Sequence, residues 1–381
     1  MPDQGITYRT YQGIHQVPTE AWDGLAIKAS LVYTSDYWRL IEDSAIGCFY
    51  DFHYIMVSRQ ETPVCLAACY FFKVDVNEYL NRILARAIQY IRRLFPEFLR
   101  VKILECGTPL NTQLPPFLAS VEDKGEDVLA CLGSALQDLA REHKVRFIGV
   151  KDINGALLRQ YSASAIFKGW SMVESVPGAY VDIKWRGIDE YLDSMKSYYR
   201  SKLNKHLKIN AERNVTCTVV EDFAGFSDAL AKQWLVVNKG VKGSKGEIIN
   251  AEFYKNICVE FDADAKALLF YAEGKMIGHA LVIRDYKVLR WLYVGREKKV
   301  NDSLYQLMMY KVIEVGIALN VEQIDCGPTT YDVKRDLGAR IEPLYYALKC
   351  NLPVPYKWID PIVRKMLKTK SPVTKDVFKV N

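Results

Sequence analysis

At 381 residues, half of them apolar and a quarter charged, the chain has the make-up of a globular protein too long for one ordinary domain. That composition excludes a disordered or fibrous chain. The formal net charge of +6 and a pI near 8.6 are mildly basic, which allows an acidic partner such as RNA, an acyl carrier protein or a phosphorylated cofactor without requiring one. Nine cysteines are scattered without a CxxC pair, most inside apolar runs such as PVCLAACYFF, and read as buried thiols in a reducing cytosol. The N-terminal MPDQGITYRTYQG lacks the apolar core of a signal peptide, and no run reaches the roughly 18 apolar residues of a membrane span. A cytoplasmic protein is expected.

In chain order, Trp22–Ile41 has helical spacing, and HYIMVS and PVCLAACYFFK form an antiparallel hairpin signal. Asn77–Leu94 is an amphipathic helix with Leu80, Ile83, Leu84, Ala87, Ile88 and Ile91 on its apolar stripe and arginines mostly off it. Such a helix either covers the sheet or touches a membrane or an acidic partner, and covering the sheet is the expectation. KILECG is a strand, the proline-rich Thr108–Pro116 a loop, DVLACLGSALQDLAREHK a helix and VRFIGVKDI a strand. A second helix, GALLRQYSASAIFKGW, and a strand, GAYVDIK, follow.

The second half repeats this order. Glu252–Phe261 is the early helix, ALLFYAEG and KMIGHALVIRD the hairpin, VLRWLYVG the strand, Ser303–Asn320 the long helix and VEQIDCG the next strand. A short helix carrying Lys334 and a closing strand up to Lys349 complete the unit. Between the halves, IDEYLDSMKSYYRSKLNKHLKINAERN reads as one long helix with a basic face. The expected division is an N-terminal domain over 1–180, a C-terminal domain over 181–350 and a basic tail over 351–381.

The loop Arg296–Ser303, at the carboxyl end of a strand and the start of a helix, is where open sheets collect anions. Arg296, Lys298 and Lys299 supply charge, and Asn301, Asp302 and Ser303 are suitable caps. The loop has no glycine after Gly295, and Asp302 opposes an anion, so a capped surface turn is the equal alternative.

The element order, given twice, resembles the GCN5-related N-acetyltransferase (GNAT) superfamily. The second half is similar to its Fem-like and BioF2-like branch, through IDEYLDSMKSYYRSKLNKHLKINAERN, the Asn301–Tyr305 turn and IDCGPTTYDVKRDLG. The last stretch matches a strand, Asp-x-Gly and then Lys-x-x-x-Gly, met by Asp325, Gly327, Lys334 and Gly338. The resemblance implies an α/β (α+β) protein of two tandem GNAT-like domains, each a mixed, mainly antiparallel sheet flanked by helices, the first of them degenerate. It implies an N-acyltransferase moving an acyl or aminoacyl group to an amine acceptor, a small molecule or a peptide, in the cleft between domains.

On that resemblance Lys334 stabilises developing negative charge or a tRNA end; by position, Tyr293 on the strand before the loop can present its hydroxyl to the leaving group, and Asp325 at a strand end can orient the amine. Each has a structural alternative: a solvated helix lysine, a core tyrosine and a turn cap. Donor binding falls to Arg296, Lys298, Lys299, Asn301, Ser303 and Tyr305, and partner binding to Lys196, Arg200, Lys202 and Lys205. The loop carries Lys299 and Asn301 where acetyl-CoA users have glycines, so acyl-CoA, an acyl carrier protein and aminoacyl-tRNA stay open as co-substrates. No tightly bound cofactor, metal site or DNA partner is expected. The competing reading is a non-catalytic binding module with a degenerate GNAT fold.

Overall fold

Period-two runs of β-branched and aromatic residues become fifteen strands in two sheets in the computed structural model. It describes residues 5–379 apart from 48, 80–81, 111–113, 121–124, 162–164, 168, 240–247, 299–301 and 352–371. In chain order the strands are β1 (Ile6–Gln12), β2 (Tyr50–Arg59), β3 (Thr62–Asp75), β4 (Arg100–Cys106), β5 (Phe117–Ala119), β6 (Phe147–Asn154), β7 (Ser171–Glu174) and β8 (Gly178–Asp182). There follow β9 (Thr216–Val220), β10 (Ala265–Ala272), β11 (Lys275–Asp285), β12 (Val288–Arg296), β13 (Gln323–Asp325), β14 (Arg340–Glu342) and β15 (Leu344–Cys350).

The first sheet runs β1-β2-β3-β4-β6-β15-β7, with β5 on β3, and the second β14-β8-β13-β12-β11-β10-β9. Each has one parallel pair, β4 with β6 and β12 with β13, among antiparallel neighbours. In each, a long helix crosses over between the parallel strands, Glu126–Glu142 in the first and Leu304–Ala318 in the second. The duplicated order read from the sequence is therefore the duplicated fold of two mixed, mainly antiparallel sheets.

The sheets exchange strands at the joint. β8 pairs with β13 and β14 in the second sheet, whereas β15 returns to the first, between β6 and β7. Leu344–Cys350 therefore does not close the second unit, and a cut at 180/181 leaves one strand of the first sheet in the later segment. A continuous core also spans both halves: Trp22, Tyr33, Trp38 and Tyr54 pack with Leu230, Phe253, Tyr254 and Leu281. Separate cores lie beneath the two crossover helices.

Helical periodicity overran two breaks. Trp22–Ile41 forms two helices, Thr19–Ala26 and Ser35–Asp43, because Asp23 turns back to accept from the Ser35 N–H and hydroxyl, both at 2.7 Å. The basic connector forms Ile188–Ser194 and Ser197–Glu212. Met195 between them is extended and forms a β-bridge with Phe378, flanked by Lys196 N–H to Val377 O at 2.9 Å and Lys379 N–H to Ser194 O at 2.8 Å. Residues 372–379 thus return to the second half, while Lys357, Arg364, Lys365, Lys368 and Lys370 of the basic tail lie outside the described residues. Thr216–Val220 and the helix Ser227–Asn238 are additional elements.

The amphipathic segment is a finger at the end of the β3–β4 hairpin, with its helix over Arg82–Ile91. Its apolar stripe does not cover a sheet: among the described residues of the helix only Ile88 is buried, while Ile83, Leu84, Tyr90 and Ile91 are exposed. Among the described residues no helix is long and apolar enough to cross a membrane. The eight described cysteines are free thiols, five of them buried.

Candidate functional site

β13 ends in Asp325, and the chain then makes a tight turn through Gly327, Pro328, Thr329 and Thr330. Gly327, Thr329 and Thr330 have φ of 66°, 66° and 49°. Left-handed backbone is ordinary for glycine, but two consecutive β-branched residues held there store strain of the kind found at functional sites. Two groups hold the turn. The Asp325 carboxylate accepts from the Gly327 N–H at 2.9 Å, so the turn-capping alternative is met. From the next helix, Tyr331–Asp336, the Lys334 ammonium donates to the carbonyls of Gly327 and Pro328, each at 2.8 Å.

Lys334 is 1% exposed, which rules out a solvated helix lysine. Burial lowers its pKa to about 8, although nearby Asp325 pulls it back up. The helix ends at Gly338, φ 91°, where a Cβ would lie 2.2 Å from the Phe378 ring. Phe378 in turn packs on Trp185 at 4.9 Å and Tyr191 at 6.0 Å. The final glycine of the Lys-x-x-x-Gly pattern is thus the seat of the returning tail. Gly338→Ala is expected to lower stability by about 2–4 kcal/mol through φ strain plus the clash, read as a fall in the denaturant midpoint.

Asp325 also accepts from Arg290 of β12 at 3.3 Å, and Arg290 forks to Asp285 of β11 at 2.7 Å. Asp285 reaches the first half, accepting from the Ser30 hydroxyl at 2.7 Å and the Leu31 N–H at 2.8 Å. A buried chain of charge therefore runs from the first half to the Lys334 turn. On the first sheet, Asp152 of β6 stands in left-handed backbone, φ 57°. Burial raises its pKa to about 6 despite its ion pair with Lys151, and the charges of Glu105 and Asp325 push the same way. Its side chain keeps 16% exposure, so it remains reachable. Glu105 accepts from the hydroxyls of Tyr70 and, at 2.8 Å, Tyr346. Tyr180 of β8 lies among Asp325, Asp152, Arg290 and Arg340, and burial with the two carboxylates raises its pKa. Arg290, Asp152, Glu105 and Tyr180 were missed from the sequence; the available signals were a lone arginine in VLRWLYV and a lone acid in VKDI.

Of the other expected residues on this half, Tyr293 separates from the site and Tyr305 joins it, while the neighbouring His279 and Cys326 offer neither a base nor a nucleophile. Tyr293 lies in the shared core, edge-on to Phe253 at 5.7 Å and Trp234 at 6.3 Å, on the sheet face away from the helix Leu304–Ala318. His279 is a fully buried core histidine bonded to Tyr254 and Gln233, each at 2.9 Å, and burial lowers it to about 3. Burial raises the Cys326 thiol to about 12, which removes it as a nucleophile at neutral pH. Tyr305, stacked on Trp291 at 5.3 Å, does join the site, because its hydroxyl neighbours Thr330 and Cys326.

In the donor loop Asp302 is the shared partner of two arginines. Asp302 pairs with Arg296 and, at 3.2 Å, with Arg213, and its carboxylate also accepts from the Leu304 N–H at 3.2 Å. Ser303 caps the helix in left-handed backbone, φ 68°, with its hydroxyl on His206 at 2.8 Å. Lys299 and Asn301 lie outside the described residues; Lys298 is exposed. On the basic helix Lys196 pairs with Asp376 at 2.5 Å, Arg200 with Asp193 at 3.4 Å and Lys202 with Asp336 at 2.5 Å. Lys205 has no ion-pair partner among the described residues, and with Lys202, Ser197, Tyr198 and Ser201 it lines a shallow open depression. Away from these, Asp51, His53 and His143 bring three metal-type ligand atoms within 4.8 Å, although the two histidines already pair with the aspartate at 3.3 and 3.4 Å.

Comparison with known proteins agrees with this architecture. The FemAB-like family model, described as peptidoglycan biosynthesis/recognition, matches residues 13–336. A putative 8-amino-7-oxononanoate synthase 2 from Mycobacterium tuberculosis is 23% identical over 320 residues, covering 82% of this chain and 41% of that protein. The chain thus spans about two-fifths of the length of the curated relative it matches. Among solved structures, FemX superposes with a TM-score of 0.58 at 13% identity, covering 92% of this chain and 100% of that one. A tandem GNAT protein from the clavulanic acid biosynthesis pathway gives 0.50 at 9% identity, covering 92% and 100%. With the family model spanning most of the chain, the chain belongs to the FemAB-like family, and it shares its fold with both of these structures.

Proposed function

We propose that the chain is an N-acyltransferase that moves an aminoacyl group from aminoacyl-tRNA to an amine acceptor held between the two sheets. The observation that carries this reading is the buried Lys334 ammonium on the strained Gly327–Thr330 turn, with Asp152 of the first sheet near enough for the Asp325 charge to raise its pKa. Acyl transfer needs a neutral amine, a positive group for the oxyanion and a path for the proton. Asp152, about 6, is ionised at neutral pH and takes the proton from the attacking amine. Lys334, about 8, is still cationic there and stabilises the developing oxyanion through its charge behind the turn it holds. The carbonyl–oxygen bond to the ribose breaks as the amide bond forms, and the proton taken up by Asp152 passes to the departing ribose oxygen.

The donor choice follows from where positive charge is free. The Asp302 carboxylate holds Arg296 and Arg213 and accepts from the Leu304 N–H at the helix start, where a pyrophosphate would have to bind, which disfavours acyl-CoA. The depression beside Tyr198 and Lys205 sets an exposed aromatic ring next to a cation with no ion-pair partner among the described residues, which suits an RNA strand better than the acidic surface of a carrier protein. The first half is read as degenerate for donor binding, since Thr108, Leu110 and Leu114 of its equivalent loop are buried.

Intact-mass analysis of acceptor amines incubated with aminoacyl-tRNA, acyl-CoA and acyl-carrier-protein donors tests the proposal. Product is expected with aminoacyl-tRNA alone, and RNase should abolish it. Turnover with a CoA thioester after RNase treatment eliminates the tRNA donor. Failure of every donor, with Lys334→Ala leaving the cellular role intact, favours the binding-module reading.

A further inference from the structure

The finger between β3 and β4 is built to keep apolar side chains in the open. Asp75 closes its base, taking two bonds from the Arg92 guanidinium at 2.7 Å each, and Arg92 also donates to Phe98 O at 2.8 Å. The Val76 N–H to Leu99 O bond at 3.0 Å and the Lys73 and Arg100 pairs with Glu97 brace the same base. Beyond this clasp, Ile83 is 80% exposed, Tyr90 66%, Leu94 79% and Phe95 65%. Ile83, Tyr90, Ile91 and Leu94 fall on one stripe by helical spacing, because the turn continues past Ile91 with Phe95 N–H bonded to Ile91 O at 2.9 Å. Four large apolar groups held this far into water on one rigid element exceed the scattered single exposures normal for a globular surface.

Charge identifies the occupant. The sequence from Tyr79 to Pro96 contains no acidic residue and four arginines. Arg92 is fixed to Asp75, but Arg86 and Arg93 are exposed, and the Arg93 guanidinium sits 4.8 Å over the Tyr90 ring. A second copy of the chain would pack stripe on stripe and bring two sets of arginines together, with no acid between Tyr79 and Pro96 of either copy to pair them. A surface of anionic lipid headgroups over an apolar interior matches both features, with the apolar stripe in the acyl boundary and the arginines at headgroup level.

We propose that the finger Val76–Leu99 docks the protein peripherally on an anionic membrane surface. This is independent of the acyl-transfer reading, since it rests on a different segment and is tested without turnover. The full chain is floated with vesicles of phosphatidylcholine alone and of phosphatidylcholine containing phosphatidylglycerol. Co-flotation is expected with the anionic vesicles and should weaken as salt rises. Because both side chains are solvent-exposed, Leu94→Glu/Phe95→Glu should keep the wild-type melting temperature and lower partitioning by about 100-fold. Arg86→Gln/Arg93→Gln should remove the preference for anionic over neutral vesicles. The proposal is overturned if the wild type floats with neither vesicle, or if the glutamate variant floats as well as the wild type. A concentration-dependent dimer that the glutamate variant dissociates, without vesicle binding, assigns the stripe to a second copy instead.

Discussion

Lys334→Met should lower kcat/KM by about 100- to 1,000-fold with the donor that supports turnover, and leave the melting temperature almost unchanged. The two halves of that expectation come from different energies. The ammonium is buried and its pKa falls from 10.5 to about 8, so holding it charged costs about 3 kcal/mol at neutral pH. Against this stand its bonds to the Gly327 and Pro328 carbonyls, and charge-assisted bonds contribute about 1.5–3 kcal/mol each. Removing both the penalty and the bonds nearly cancels in stability. Nothing offsets the loss of the cation in a transition state that carries an oxyanion.

The pH dependence separates the catalytic role from a merely structural one, because the signs are opposite. A lysine depressed in the folded state destabilises the protein below its folded pKa, and the penalty fades as pH rises from about 8 through 10.5. Stability from this group therefore improves with alkalinity. Activity that needs the ammonium falls over the same rise, giving an alkaline limb near pH 8, while ionisation of Asp152 gives an acid limb near 6. Lys334→Arg should move the alkaline limb upward, since a guanidinium stays charged, and Asp152→Asn should remove the acid limb. A Lys334→Met enzyme with wild-type kcat/KM would end the assignment.

What could be read in advance depended on how far apart in sequence the partners lie. Asp325, Gly327, Lys334 and Gly338 close around one turn within fourteen residues, so their spacing already carried the geometry. Arg290 and Asp152 reach the same place only through the parallel pairing of β12 with β13 and the meeting of the two sheets, which no local pattern encodes. The break at Met195 was hidden for a related reason. Its side chain keeps the apolar periodicity of the connector, and only the tail strand at Phe378 pulls its backbone out of the helix. Strand propensity likewise marked Leu344–Cys350 as β without saying which sheet would accept it. In the donor loop the charges were visible but the second pairing of Asp302 was not, because Arg213 arrives from the end of the connector helix. Tyr293 shows the limit of a plausible role: its strand position was right, and a bulge between Leu281 and Val282 fits a face committed to the core.

Arg290→Met is expected to be the most destabilising single change near the site, at about 3–5 kcal/mol, or a fall of roughly 10 °C in melting temperature. Asp285 and Asp325 are 2% and 3% exposed at their side chains, so without the guanidinium between them two carboxylates are left in a poorly solvated space. A methionine of similar length fills the volume, which makes the cost one of uncompensated charge rather than of a cavity. Three measurements isolate that cause. The deficit relative to wild type should shrink as pH is lowered and the orphaned carboxylates take up protons. The triple change Arg290→Met/Asp285→Asn/Asp325→Asn should recover most of the stability, because replacing a whole buried ionic set is far cheaper than breaking it. Arg290→Lys should fall between, since one ammonium cannot fork to both acids. The same variants should loosen the joint, because Asp285 is also the acceptor for Ser30 and Leu31 of the first half, and hydrogen exchange at those amides reads it directly. If Arg290→Met melts with the wild type at neutral pH, the buried chain of charge does not hold the two halves around the Lys334 turn.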